Sequence, residues 1–209
     1  PLLLKGTWIT VQLSLTATVL GLVVAIFCAW GKTGGPLWLR FLISAYIEVI
    51  RNTPFIVQLF FFFFALPSIG LRWSPYTAAL TAMVVNLGAY AAEIVRAGIE
   101  SIPKGQIEAG KALNLKPWEI FRFVILKPAL KAIYPALTSQ FILLMLSSAV
   151  VSVISADDLT SVAANLQSQT FRSFEIYIVV AVIYLTLALS FSALFKLIYQ
   201  RTLNYPDRR

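Results

Sequence analysis

Among the side chains able to hold a polar solute are Thr53, Gln58, Asn86 and Glu93, then Ser147, Ser148 and Ser152, with Glu48, Arg51 and Arg96 as the nearby charges. Neutral amides and hydroxyls of this kind bind through hydrogen bonds alone, weakly enough to release what they hold. Glu93 and Arg96 stand three apart, a spacing that pairs them on one helix face, and Glu48 and Arg51 repeat it. There is no histidine and the only thiol is Cys28, which removes histidine triads, histidine-ligated zinc, cysteine-rich metal sites and disulfide frameworks. Gly31-Lys32-Thr33 imitates part of a phosphate loop, but the glycine needed five positions earlier is Ile26. Those residues, with Gly34-Gly35-Pro36, are expected to form a polar, flexible turn that binds no ATP. Any chemistry must use other groups.

Whatever positions these groups is overwhelmingly apolar. Of 209 residues, 59% are hydrophobic and 12% charged. Five stretches carry no charge at all: 6–31, 52–71, 73–92, 132–156 and 176–195. A helix rises about 1.5 Å per residue and the hydrocarbon layer is roughly 30 Å thick, so each stretch is long enough to cross once. A soluble bundle would need polar faces that these stretches lack. The first is also too long, and too poor in preceding basic residues, for a cleaved signal peptide. The expected fold is therefore all-α, a polytopic membrane protein with five transmembrane helices. Because the sequence opens on Pro1 and not on methionine, a short preceding piece is expected.

Charge sets the expected orientation. With the N-terminus outside, only Lys5, Arg72 and Arg172 of the 17 basic residues fall on outer segments, while the rest, Arg208 and Arg209 included, fall on inner ones. The positive-inside rule then places the C-terminus in the cytoplasm. The same rule accounts for the net charge of +8 without a nucleic-acid partner.

Between the spans the chain is patterned. Arg40, Ser44, Glu48 and Arg51 make a polar stripe suited to a helix lying on the inner membrane surface or against another helix, with Glu48 and Arg51 paired. Asn52-Thr53-Pro54 interrupts that helix, because proline lacks a backbone donor and disfavours the helical region for the residue before it. Interrupted spans often line a solute path, and Gln58, one turn on, would sit where an amide needs a partner. Small residues at Ser147-Ser148-Ala149-Val150-Val151-Ser152 favour close helix contacts, and Asp157 and Asp158 favour capping of the next helix. The longest inner loop, 98–131, reads as a helix over Gly105–Asn114 and a second one begun by Pro117. Ala109 and Gly110 would leave the first helix bare enough for a partner's surface to reach its backbone.

Glu108-Ala109-Gly110, followed by Pro117-Trp118 and Ile125-Leu126, resembles the cytoplasmic EAA loop of the permease subunits of type I ABC importers. Arg51-Asn52-Thr53-Pro54-Phe55-Ile56-Val57-Gln58-Leu59-Phe60 resembles the R-G-T-P-x-x-V-Q-L-F signature of that family's polar amino-acid branch. Gly88-Ala89-Tyr90-Ala91-Ala92-Glu93-Ile94-Val95-Arg96-Ala97-Gly98-Ile99 resembles its A-Y-x-A-E-I-x-R-G-G-I segment. The likeness covers nearly the whole chain. Gly110 stands where the family has alanine, Asn114 where it has glycine, and Pro128 lies one place late. Leu146-Ser147-Ser148-Ala149-Val150 replaces a K-N/D-T-S-L pattern.

The resemblance implies one transmembrane domain over 1–209 in a bacterial inner membrane. It implies a second permease subunit, identical or homologous, two ABC ATPase subunits that bind the ATP and Mg, an external binding protein and an amino-acid substrate. This chain would be no enzyme itself. Glu108, Ala109, Gly110, Lys111, Leu113, Asn114, Leu115 and Pro117 would couple to the ATPase. Thr53, Gln58, Asn86, Glu93, Ser147, Ser148 and Ser152 would line the path, with Glu48, Arg51 and Arg96 in gating or structural ion pairs. A stand-alone ion-coupled secondary transporter would instead favour carboxylates at mid-depth and an inverted repeat. A membrane scaffold would need neither the interrupted helix nor the compact loop.

Overall fold

The computed structural model describes residues 2–203, and every element among them is helical; Pro1, Arg208 and Arg209 lie outside the described residues. Helix α1 (Leu2–Gly34) buries Gly6, Thr10, Ser14, Ala17, Gly21, Ala25 and Ala29 along one face. Side chains this small let two helix backbones approach closely, which is how helices associate where surrounding lipid removes the usual hydrophobic drive. Most of that face lies along α4 (Pro75–Glu100), whose own buried face is again rich in alanine and glycine, while Gly6 and Thr10 meet Leu159. The approach is tight: a Cβ added to Gly21 would stand 2.8 Å from Leu87, and one on Gly88 2.7 Å from Val24.

Between them run α2 (Leu37–Arg51) and α3 (Phe55–Phe60), the latter extended by a π turn over Phe61–Ala65 and a 3-10 turn over Leu66–Ile69. The two parts are bent by 109° at the break. Ser74 caps α4 by accepting a bond from the Thr77 N–H, with Pro75 opening the helix. Two short helices follow, α5 (Lys104–Ala112) and α6 (Pro117–Ile120). Through a π turn at Phe121–Ile125, α6 runs straight into α7 (Leu126–Ser147), which tightens to 3-10 geometry over Ser148–Ile154. Helix α8 (Leu159–Thr170) is capped by Asp158, whose carboxylate accepts from the Thr160 and Ser161 N–H groups at 3.1 and 3.0 Å. The capping reading of Asp158 therefore holds. Helix α9 (Ser173–Thr202) buries only Val180 and exposes Val182, Leu185, Leu189, Leu194 and Leu197. Such a surface is at rest only against lipid or another membrane chain.

Four rods, Leu2–Gly34, Pro75–Glu100, Pro117–Ile154 and Ser173–Thr202, are long and apolar enough to cross a membrane. The stretches 6–31, 73–92, 132–156 and 176–195 fall on them. The stretch 52–71 differs from expectation: it holds no straight span, and a crossing there needs α2 and the bent α3 segment together. The turn expected at Gly31–Pro36 is also corrected, since α1 stays helical through Gly34 and Gly35-Pro36 alone link it to α2.

Candidate functional site

The break at Pro54 shows how a helix can stop in an apolar setting. The last turn of α2 leaves carbonyls with no helical partner, and each orphan is costly away from water. Side chains answer them one by one. Thr53 donates to the Val49 carbonyl at 2.9 Å and Gln58 to that of Ile50 at 2.7 Å, while the Asn52 side chain adds a bond at 2.8 Å to the Glu48 carbonyl, which already accepts from the Asn52 N–H. The Gln58 amide also donates to the Thr53 carbonyl and hydroxyl, at 3.1 and 3.0 Å, and its own oxygen accepts from Asn86 of α4 at 3.0 Å. Thr53, Gln58 and Asn86, expected along the path, are thus brought together. Gln58 is buried, and its polar atoms are occupied by protein.

Beside the break a cavity of about 260 Å³ is lined by Ile47, Glu48, Arg51, Asn52 and Tyr90. Here the structure departs from the sequence reading. Glu48 and Arg51 form no ion pair among the described residues; the Arg51 guanidinium lies over the Tyr90 ring, 5.4 Å from its centroid. Both side chains are exposed, so water offers each an alternative to pairing. The cavity consequently holds one carboxylate and one guanidinium, each with hydrogen-bonding capacity free for a ligand, next to an aromatic face.

Glu93 and Arg96 do pair, at 2.7 Å, and Lys32 joins them from the last turn of α1, 2.6 Å from the other Glu93 oxygen. Arg96 also reaches Glu100, so four alternating charges form a chain. Ser148 and Ser152 of the 147–152 segment bond backbone carbonyls, and Ser148 also lies against the Tyr184 hydroxyl. Ser148 is fully buried and donates to the Met145 carbonyl at 2.6 Å; Ser152 donates to that of Ala149 at 2.8 Å. These are three-residue returns that 3-10 geometry favours. Ser147 is half-buried. Ser148 and Ser152 are not drawn into the Gln58 cluster.

A further polar cluster, whose Thr10 and Tyr184 members the sequence reading missed, ties α1 to α8 and α9. The Leu159 N–H donates to Thr10 at 3.1 Å, and Tyr184 stands 3.0 Å from Thr160 and 3.4 Å from the Asp158 carboxylate. Burial raises the Asp158 carboxyl above its ordinary value, and the bonds from Ser161 and Thr160 pull the other way.

The α5–α6 pair is a small knob. Glu108, Ala109, Lys111 and Ala112 are exposed, as are Leu113 at 75% and Trp118 at 64%. Gly110 is the reverse of what was expected. It faces inward, where a Cβ would stand 3.2 Å from Ile120, so the glycine serves the contact between α5 and the rod behind it and leaves no bare backbone outside. Asn114 takes the left-handed conformation at φ 55°. The Leu115 N–H reaches the Gly110 carbonyl and the Asn114 N–H that of Lys111, the paired bonds that close a helix with glycine or asparagine in this position. Glu119 accepts from the Lys116 N–H at 2.7 Å, ahead of Pro117, and starts the next helix two residues after the first is closed. Asn114 thus performs the glycine's task.

Comparison with known proteins bears on all of this. Residues 18–204 match the family of binding-protein-dependent transport system inner membrane components. The glutamine transport system permease protein GlnP of Escherichia coli (strain K12) is 40% identical over 195 residues, covering 91% of this chain and 89% of that one. The octopine transport system permease protein OccM of Rhizobium meliloti is 33% identical, covering 99% and 87%. Among solved structures, one described as an amino acid ABC transporter with histidines superposes with a TM-score of 0.90 at 40% identity, covering 96% of this chain and 94% of that one. The inward-facing MetNI methionine ABC transporter shares the fold, with a TM-score of 0.79 at 24% identity over 96% of this chain and 95% of that one.

Proposed function

The chain belongs to the inner membrane components of binding-protein-dependent transport systems, and from that premise we propose that it is the permease subunit of an ATP-driven amino-acid importer of the bacterial inner membrane. It works beside a second permease copy or homologue and two ABC ATPase subunits, with an external binding protein delivering the cargo. The α5–α6 knob is the surface on which an ATPase sits. The observation that carries this reading is the knob's construction: a nine-residue helix with exposed Glu108, Ala109, Lys111 and Leu113, rigidly closed at Asn114 and seated on Ile120 through Gly110.

The knob faces the cytoplasm, as the distribution of lysine and arginine supports. ATP and Mg belong to the partner, and this chain contributes no catalytic group. Displacement of α5 shifts the spans between inward-open and outward-open arrangements, and cargo biases that equilibrium only by its different affinity for the two. The cavity lined by Glu48, Arg51, Asn52 and Tyr90 suits an amino-acid zwitterion, the carboxylate of Glu48 facing the ammonium and Arg51 the carboxylate. Gln58, Thr53 and Asn86 brace the helix break that carries Asn52.

Reconstituting the permease with its ATPase and binding protein in vesicles tests the reading. Hydrolysis should rise when the binding protein carries an amino acid, and transport of that amino acid should follow. Uptake by the permease alone, driven by an ion gradient, would overturn it. Glu108→Arg should lower ATPase co-purification while the permease remains in the membrane.

A further inference from the structure

The α1–α4 contact sets small residues of one helix against larger ones of the other, Gly21 against Leu87 and Gly88 against Val24, and this packing is neutral. Dispersion in such a contact is short-ranged, so it holds the two helices together only while the close fit is kept. At one end the contact changes character. Lys32, in the last turn of α1, lies 2.6 Å from Glu93 of α4; Glu93 is held on its other oxygen by Arg96 at 2.7 and 3.1 Å, and Arg96 continues to Glu100 in the final turn of α4. Lys32 and Glu93 are 61 positions apart in sequence, so this bridge joins helices and does not merely decorate one. Two cations and two carboxylates balance, and the side chains of Lys32, Glu93 and Arg96 are only 25%, 19% and 28% exposed. Hydrogen-bonded ion pairs are directional in a way that packed methyl groups are not.

The position of this chain matters as much as its chemistry. Glu100 ends α4 and Lys104 begins α5, with only Ser101-Ile102-Pro103 between. On another side of the same helix end, Gly98 packs so closely on Ile133 and Ala129 of α7 that there is no room for a Cβ. The end of α4 is thus gripped by α7 through packing, joined to α5 through three residues, and tied to α1 through charge. A push on α5 reaches α4 through Ser101-Ile102-Pro103 and α7 through the seat of Gly110 on Ile120, and α1 receives it across its packed faces on α4 and α7 and through the Lys32–Glu93 bridge.

We propose that Lys32 and Glu93 are positioning residues for energy coupling: their bridge makes α1 follow α4 when α5 is displaced. The claim rests on the reading of α5 as the ATPase seat. The neutral packed contact keeps α1 in place at rest, and the ion chain adds a directional tie between the helix ends under load.

The test uses the full complex in vesicles, with amino acid transported per ATP hydrolysed as the readout and the thermal midpoint of the complex as a control. Lys32→Gln should retain ATPase co-purification, basal hydrolysis and thermal midpoint, while transport per ATP falls by about five-fold or more, the range of ordinary coupling effects. Lys32→Arg, which keeps the charge, should restore most of the ratio. Combining Lys32→Gln with Glu93→Gln should be no worse than Glu93→Gln alone, because both remove one bridge. An unchanged ratio in Lys32→Gln would overturn the proposal, as would a lowered ratio that Lys32→Arg fails to restore or a loss in strict proportion to thermal midpoint. Failure of the underlying reading looks different: the ATPase would then co-purify normally with Glu108→Arg.

Discussion

Asn86 and Glu93 stand seven residues apart on α4 and do opposite kinds of work. Asn86 donates to a buried glutamine that plugs the broken end of α2, in a seam with no net charge. Glu93 joins a seam of four charges that water partly reaches. A buried neutral seam has no substitute partner when one member is lost, so its groups are expected to govern whether the chain folds. A charged seam near the surface can exchange protein for water at little cost, so its groups are expected to govern how the folded chain moves.

Substitutions rank the two seams. Gln58→Leu should be the most damaging, since it takes the short bond from the Ile50 carbonyl and leaves the Thr53 carbonyl and the Asn86 amide without their Gln58 partner; a loss of about 2 to 4 kcal/mol is expected, read as a lower thermal midpoint and poor recovery from membrane. Asn86→Leu leaves only the Gln58 oxygen without its partner, at about 1 to 2 kcal/mol by the same measurement. Asp158 separates the two variables, being buried like Gln58 and ionisable like Glu93. Because burial raises its pKa, the fold favours the protonated form. Its contribution to stability is fullest below the ordinary 3.8 and fades as pH rises through the raised value. Asp158→Asn, neutral at every pH, should abolish that decline in thermal midpoints measured upward from pH 3.5 while retaining a capping oxygen. Lys32→Gln should shift stability least, by under about 1 kcal/mol. If it proved as destabilising as Gln58→Leu, the contrast between the seams would fail.

How much of this was legible in the sequence follows from distance along the chain. Absence of charge over twenty residues is a local property, and the four straight rods lie where it pointed. The interruption at Pro54 was local too, and so was the tolerance of Asn114 for a left-handed turn. The bend of 109° was not, because it depends on Gln58 reaching back eight residues to Ile50 and across to α4. Nor was the bridge from Lys32, whose neighbours suggested a loose turn although α1 continues to Gly34. Ala17, Gly21, Ala25 and Ala29, four apart, did carry a readable signal for the α1–α4 contact. Gly110 misled for a physical reason: a missing side chain marks close approach, but not which side approaches. Helical spacing made a Glu48–Arg51 pair plausible, whereas exposure and the Tyr90 ring decided against it.

The most direct test of the account is contact at the knob. With a photo-crosslinking amino acid at position 108 in the assembled complex, illumination should give an adduct with the ATPase subunit, and a water-soluble thiol reagent should reach a cysteine placed there only from the cytoplasmic side. Labelling of that cysteine from outside intact cells, with no ATPase adduct, would contradict it.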